Sequence, residues 1–190
     1  MRKIVFSLIL AVIVSTAFQC KSNNKPILKV NKQETSMDIK IKSTAFEDGG
    51  LIPVKYSCDG ENVSPPLFWS TTAAGIKSYA LICDDPDAPA GTWVHWVIYN
   101  IPENAAALPE FVPAGKNLDN GSSQGLNDFG NTSYGGPCPP SGTHRYFFKI
   151  YAIDTILNLK GDVTKEILLN AIKGHIIAEG QLIGKYSRSK

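Results

Sequence analysis

The chain has no excess of one charge. Its 19 Lys and Arg stand against 17 Asp and Glu. Arg2 and Lys3 lie in a segment read below as an address, and 19 less 2 leaves 17 against 17. Nucleic-acid binding needs a basic surface to neutralise phosphates, and recruitment to an anionic membrane needs a polybasic one, so both classes are excluded. No apolar run reaches the roughly 18–20 residues of a membrane-spanning helix. There is no HExxH string, no CxxC string, no internal repeat and no low-complexity tract. The strongest signatures of zinc sites and repeat architectures are therefore missing. Histidine is scarce, with only His95, His144 and His175.

A core, by contrast, is present. Of 190 residues, 43% are hydrophobic and 19% charged, which fits one folded domain with extras. The extras are N-terminal. Met1-Arg2-Lys3 precedes an apolar stretch from Ile4 to Val14, and small residues follow at Ser15-Thr16-Ala17. That order is a secretory signal, over residues 1–19. Cys20 and the polar run Lys21 to Pro26 resemble the lipidated cysteine and tether of a bacterial lipoprotein, and cleavage after Ala17 is the alternative. The expectation is an exported protein, anchored to a membrane only through lipid on Cys20 or else periplasmic or secreted. A polar linker would occupy 20–36 and a single domain 37–190. Cys58 and Cys138 sit in turn-rich loops, whereas Cys83 lies in an apolar run. A Cys58–Cys138 disulfide, permitted by export, is one reading, and two free thiols are the other.

Short strands dominate the domain. Ile39 and Ile41 alternate with Lys40 and Lys42, and apolar runs cover Ser78–Cys83, Trp93–Ile101 and His144–Ile153. Residues 117–142 read as a long patternless loop, which in a compact domain points to function. One helix is predicted, capped by Asp162 or Thr164, with a stripe of Ile167, Leu168, Ala171 and Ile172 and a stop at Gly174. His175–Tyr186 reads as a late strand. The fold class is mostly β with few helices.

Two segments carry chemistry. In Asp84-Asp85-Pro86-Asp87-Ala88-Pro89, two prolines stiffen an acidic turn. Trp93-Val94-His95-Trp96 follows, and strand alternation predicts Trp93 and His95 on one face, Val94 and Trp96 on the other. In Tyr134-Gly135-Gly136-Pro137-Cys138-Pro139-Pro140, the glycines can expose backbone N–H groups to an anion. In Gly142-Thr143-His144-Arg145-Tyr146, His144 and Tyr146 share a face and Arg145 points away. Together these make a small anion pocket in which imidazolium and N–H groups donate, steadied by a carboxylate.

These strings, in this order, resemble the phosphatidylethanolamine-binding protein family and its bacterial Raf-kinase-inhibitor-like branch. Cys58-Asp59-Gly60-Glu61-Asn62-Val63-Ser64-Pro65-Pro66-Leu67 and Asn127-Asp128-Phe129-Gly130 add to the likeness, which runs from Met37 to Ser187. It implies a central sheet of mixed strands, a second small sheet and peripheral helices. It also implies a surface pocket for a phosphate-like or carboxylate anion, built from Asp85, His95, His144 and Tyr146. Gly136 would offer its amide, and Pro86 and Asp87 would shape the rim. Mammalian members close this pocket with a C-terminal helix that the chain, ending at Lys190, is expected to lack.

The leading expectation is a noncatalytic binding module without a cofactor, taking a small anionic ligand or a phosphorylated group. Such a module can act by blocking a protein partner such as a protease or kinase. Two other classes stand beside it. One is an enzyme, using His95, His144 and Asp85 on a metal or Cys138 with His144 as a thiol pair. The other is a surface lipoprotein whose pocket is idle.

Overall fold

A computed structural model describes residues 39–188. The export signal, Cys20 and the whole 20–36 linker therefore fall outside what is described, and so does the start of the domain at 37.

Eight strands and one helix make up the body. Strands β1 (Ile39–Ser43), β2 (Leu67–Thr71) and β5 (Ala107–Leu108) form a small sheet in the order β1-β2-β5. Strands β3 (Ser78–Asp85), β4 (Trp93–Pro102), β6 (Ser123–Gln124), β7 (His144–Ile153) and β8 (Ile176–Tyr186) form a larger one, ordered β6-β4-β3-β7-β8. Every pairing between named strands is antiparallel. The expected mixed character is confined to one parallel bridge, Leu51 to Lys185, on the β8 edge. A single 3-10 turn, Val54–Tyr56, and the helix α1 (Lys165–Ile172) are the helical elements among the described residues.

Strand β3 lies between β4 and β7 and is buried along its whole length, which is why it reads as a continuous apolar run. Its two faces serve two cores. Tyr79, Leu81 and Cys83 join Trp96, Tyr146, Phe148 and Ile150 with Ile39, Leu67 and Trp69 of the small sheet. Ala80 and Ile82 join Val94, Val97, Val163, Leu168 and Ile172 under α1. The two sheets approach closely where β1 crosses β8. A Cβ at Gly180 would sit 2.0 Å from the Ile39 carbonyl oxygen, so only glycine fits there.

Thr164 caps α1, its hydroxyl accepting the Ile167 N–H. Asp162, the other candidate, pairs instead with Lys116 at 3.8 Å. Leu168 and Ile172 carry the buried stripe, while Ile167 faces out at 43% exposure. Gly174 takes the left-handed conformation, φ +86°, just beyond the helix. Residues 117–142 are ordered by polar side chains rather than by periodicity. The Gln124 amide donates to the carbonyls of Pro113 and Gly115, and Asn127 Oδ1 accepts the N–H groups of Phe129 and Asn131.

Cys58 and Cys138 are joined in a disulfide across 80 residues of sequence, and Cys83 is free and buried. Closing a loop of that length removes unfolded-chain entropy worth roughly 4–5 kcal/mol. The double substitution Cys58→Ser with Cys138→Ser is expected to lower the melting temperature by about 10 °C. Calorimetry of the two proteins, each oxidised and reduced, checks this. Only the parent should respond to the reductant.

Candidate functional site

Strands β3, β4 and β7 end together at one edge of the large sheet. A cleft of about 200 Å³ opens there, lined by Asp85, Trp93, His95, His144 and Tyr146 and walled by loop residues. Asp85 ends β3 and is 3% exposed. Its Oδ2 accepts the Nδ1–H of His144 at 2.7 Å, and its Oδ1 accepts the Asp87 N–H at 2.8 Å. His144 opens β7, and Tyr146 follows on the same face, fully buried.

His95 reaches the cleft through an irregularity. Cys83 pairs with Trp96 and Asp84 with Val94, so His95 has no partner on β3. This β-bulge breaks the expected alternation: Val94 packs in the core under α1, whereas Trp96 packs in the core between the sheets. Bulges turn side chains in this way beside functional sites. The His95 ring donates Nδ1–H to the Gly135 carbonyl at 2.6 Å, and the Gly135 N–H returns a bond to the His95 carbonyl at 2.9 Å. Edge-on contacts to Tyr146 (5.1 Å) and Phe129 (5.4 Å) hold the ring from both sides. Burial pulls the His95 imidazole below its ordinary range, against the Gly135 carbonyl and the charges of Asp85 and Asp128, which favour the cation. Burial thus works against the imidazolium expected at His95 from the sequence, and the neighbouring carbonyl and carboxylates work for it.

Two donors in the cleft lining are unsatisfied. The Tyr146 hydroxyl and the Trp93 indole N–H have no partner among the described residues. Burial pushes the Tyr146 phenol far above its usual range, so it stays a donor.

Three sequence expectations need correction. The Gly136 N–H is not open to a ligand, because it donates to Asn62 Oδ1 at 2.7 Å, and Gly136 does not line the cleft. Its lack of a side chain serves packing instead: a Cβ would lie 2.5 Å from the Tyr56 carbonyl oxygen. Pro86 is exposed and outside the lining, and Ala88 and Pro89 supply that rim. Asp87 is outside it too, its carboxylate taken by Arg145 through Nε at 2.8 Å, a terminal nitrogen at 2.6 Å and the backbone N–H at 3.0 Å. It fastens the acidic turn to β7. The Arg145 guanidinium holds the Asp87 carboxyl down at about 2. A lowered folded value adds stability that is complete above the unfolded value of about 3.9 and is lost as pH falls through about 2. Asp87→Asn is expected to flatten the acid limb of the stability curve between about pH 4 and 2, by at most about 1 kcal/mol for so exposed a pair. Urea midpoints across that range check it.

The sequence reading quoted the strings that hold the walls but gave Phe129, Pro139 and Pro140 no role in the site. Phe129, Pro139, Pro140 and the disulfide-bonded Cys138 come from the long loop. Phe129 stood in the sequence as an aromatic residue inside a polar, turn-rich stretch, within the Asn127–Gly130 string of the family likeness. With Cys138 in a disulfide, it offers no thiol to pair with His144. Among the described residues no three His, Cys, Asp or Glu side chains are grouped to hold a metal ion. His144 and Asp85 are spent on one another, and His95 is tied to a carbonyl. The string Gly121-Ser122-Ser123-Gln124-Gly125 has the spelling of a serine-hydrolase elbow. Ser123, however, lies in β6 and bonds Asn117 at 3.5 Å with no histidine beside it. His175 pairs with Asp154 on the surface.

A two-sheet β protein with a compact, aromatic-walled cleft at a strand edge is the class that fold and site define. The pattern of the family described as phosphatidylethanolamine-binding protein matches residues 42–187, and the chain belongs to that family. It is 54% identical over 150 residues to a protein of Methanothermobacter thermautotrophicus named UPF0098 protein, covering 79% of this chain and 99% of that one. A phosphatidylethanolamine-binding protein homolog of Chlamydia trachomatis, solved by crystallography, is 42% identical with a TM-score of 0.74, over 81% of this chain and 100% of that one. YbcL of Escherichia coli, described as a member of the mammalian family, is 30% identical with a TM-score of 0.72, over 80% and 99%.

Proposed function

We propose that the protein is a noncatalytic binder whose cleft holds a small oxyanion bearing phosphate or carboxylate. The unsatisfied Tyr146 hydroxyl in the cleft lining, beside the Asp85–His144 pair, carries this reading. A buried donor without a partner costs about 1–3 kcal/mol, a cost that a bound acceptor removes. Membership of a family named for a phospholipid headgroup supports the ligand class. The disulfide supports an oxidising compartment and hence export on the signal and Cys20 anchor read from the sequence.

Calorimetry and thermal shift with phosphate, phosphoserine, phosphoethanolamine, acetate and divalent cations test the proposal, with His95→Ala as control. Saturable anion binding, lost in the variant, is expected. Binding of a metal ion alone would transfer the reading to an enzyme, and binding of nothing would leave the cleft without a small-anion role.

A further inference from the structure

The cleft wall that carries Cys138, Pro139 and Pro140 is held unevenly along its length. Its stem is fixed. The Pro137 carbonyl accepts the Cys58 N–H at 3.0 Å, and the Gly136 N–H goes to Asn62 Oδ1 at 2.7 Å. The Tyr134 hydroxyl donates to the Tyr56 carbonyl at 2.9 Å. Regular pairing resumes at His144, opposite Tyr186 of β8. Between these points, among the described residues, no backbone N–H or carbonyl from 138 to 143 bonds another backbone group. Pro139 and Pro140 have no N–H to offer. Ser141, Gly142 and Thr143 are exposed. The covalent hold on the segment is the bond from Cys138 to Cys58, and both cysteines are themselves exposed. Exposed disulfides are the ones open to thiol exchange.

We propose that this disulfide is a redox lock on the cleft wall, opened by a dithiol and closed again by oxidation. Its effect on binding rests on the oxyanion reading above, whereas the release of the wall does not. In the opening step one thiolate of the dithiol attacks an exposed sulfur, and the Cys58–Cys138 bond breaks as a mixed disulfide forms. The second thiolate of the reductant then displaces the protein sulfur and closes the reductant's own disulfide. Two electrons pass to the protein, and two protons leave Cys58 and Cys138 as thiols. A monothiol fares worse. The stem bonds keep the released cysteine beside the mixed disulfide, so it expels the monothiol at high effective concentration. The same bonds keep residues 56–62 and 134–137 together, so the wall is freed while its stem stays.

A wall fixed in advance presents the cleft ready-made. A free wall must be ordered by the ligand, and affinity falls by that cost. Pro139 supplies the competing account, because it is buried. If its packing alone fixes the wall, reduction lowers stability and leaves the cleft as it was.

The test is nitrogen NMR relaxation on the full protein, oxidised and after dithiothreitol, well below the melting temperature. Backbone order parameters of Ser141, Gly142 and Thr143 are expected to fall from about 0.85 to below about 0.6 on reduction, with β3 and α1 unchanged. Cys58→Ser with Cys138→Ser should give the low values with or without dithiothreitol. Inorganic phosphate, titrated by calorimetry, should bind the reduced protein about fivefold or more weakly and recover on reoxidation. Mercaptoethanol at equal thiol concentration should leave the disulfide closed, read by alkylation and mass spectrometry. Unchanged order parameters in the reduced protein would overturn the inference in favour of Pro139 packing. A fall spread through β3 and α1 would overturn it in favour of a staple for the whole fold. A freed wall with unaltered phosphate affinity would overturn the lock as a control of binding, and equal reduction by mercaptoethanol would overturn the dithiol. Phosphate binding to neither form would overturn the oxyanion reading, and the relaxation data would still decide the wall.

Discussion

Tyr146→Phe is expected to weaken oxyanion binding by about 10- to 100-fold and to leave the melting temperature unchanged or higher. A hydrogen bond to a charged partner is worth about 1.5–3 kcal/mol, which sets the range. Stability moves the other way because the hydroxyl is buried and unsatisfied, whereas the ring packs edge-on against His95 at 5.1 Å. Removing the oxygen keeps that contact and deletes the desolvated group. A variant that loses affinity while gaining stability is the signature of a polar atom retained for ligand. Titration calorimetry beside thermal denaturation reads both quantities. A Tyr146→Phe protein that melts lower and binds as before would assign the hydroxyl to the fold.

Among substitutions beside the cleft loops, Gly136→Ala is expected to cost much stability. The added methyl would stand 2.5 Å from the Tyr56 carbonyl oxygen, 2.6 Å from Asn62 Oδ1 and 2.8 Å from the Ser57 Cα. Two of these three atoms are backbone, and the third accepts the Gly136 N–H. Relief requires either the loop at 56–62 or the one at 134–138 to withdraw, and the disulfide fastens them together. About 3 kcal/mol or more of stability is expected to go, or roughly 6–12 °C of melting temperature. Gly142→Ala is the control. It meets open space at φ +70° and should cost only about 1 kcal/mol. Paired urea denaturation curves distinguish the two, and equal losses would mean that backbone conformation, not crowding, governs both positions.

What the sequence made legible was what repeats. Strands β1, β3, β4, β7 and β8 and helix α1 all announce themselves by apolar periodicity or β-branched and aromatic runs. Strand β2 does not, because Phe68 faces outward between buried Leu67 and Trp69 and erases the alternation. Strands β5 and β6 have two residues each, too short to carry a period. In the site, Asp85, His95, His144 and Tyr146 were found because ordered strings mark them, and the structure brings all four to one cleft. Gly136 was misassigned for a physical reason. A glycine kept to let a carbonyl approach looks in sequence like a glycine kept to expose an amide, and only Asn62, 74 residues away, tells them apart. The bulge at His95 is likewise invisible, since an extra residue changes the pairing and leaves the composition untouched.

The pairing of β7 with β3 also sets when the cleft can exist. Asp85 and His95 belong to neighbouring strands joined by one short turn, but His144 must travel 59 residues of chain to reach Asp85. Hairpin contacts of the first kind form in microseconds, whereas topologies dominated by distant pairings fold over about milliseconds to seconds. Until β7 pairs with β3, the β3–β4 hairpin alone can carry only the Asp85 side of the cleft, and an isolated hairpin is marginally stable in water. A ligand meeting that half-built edge finds the acceptor and no Tyr146. Ligand occupancy thus reports that β7 has paired with β3, and an anion added during refolding should slow unfolding without hastening folding.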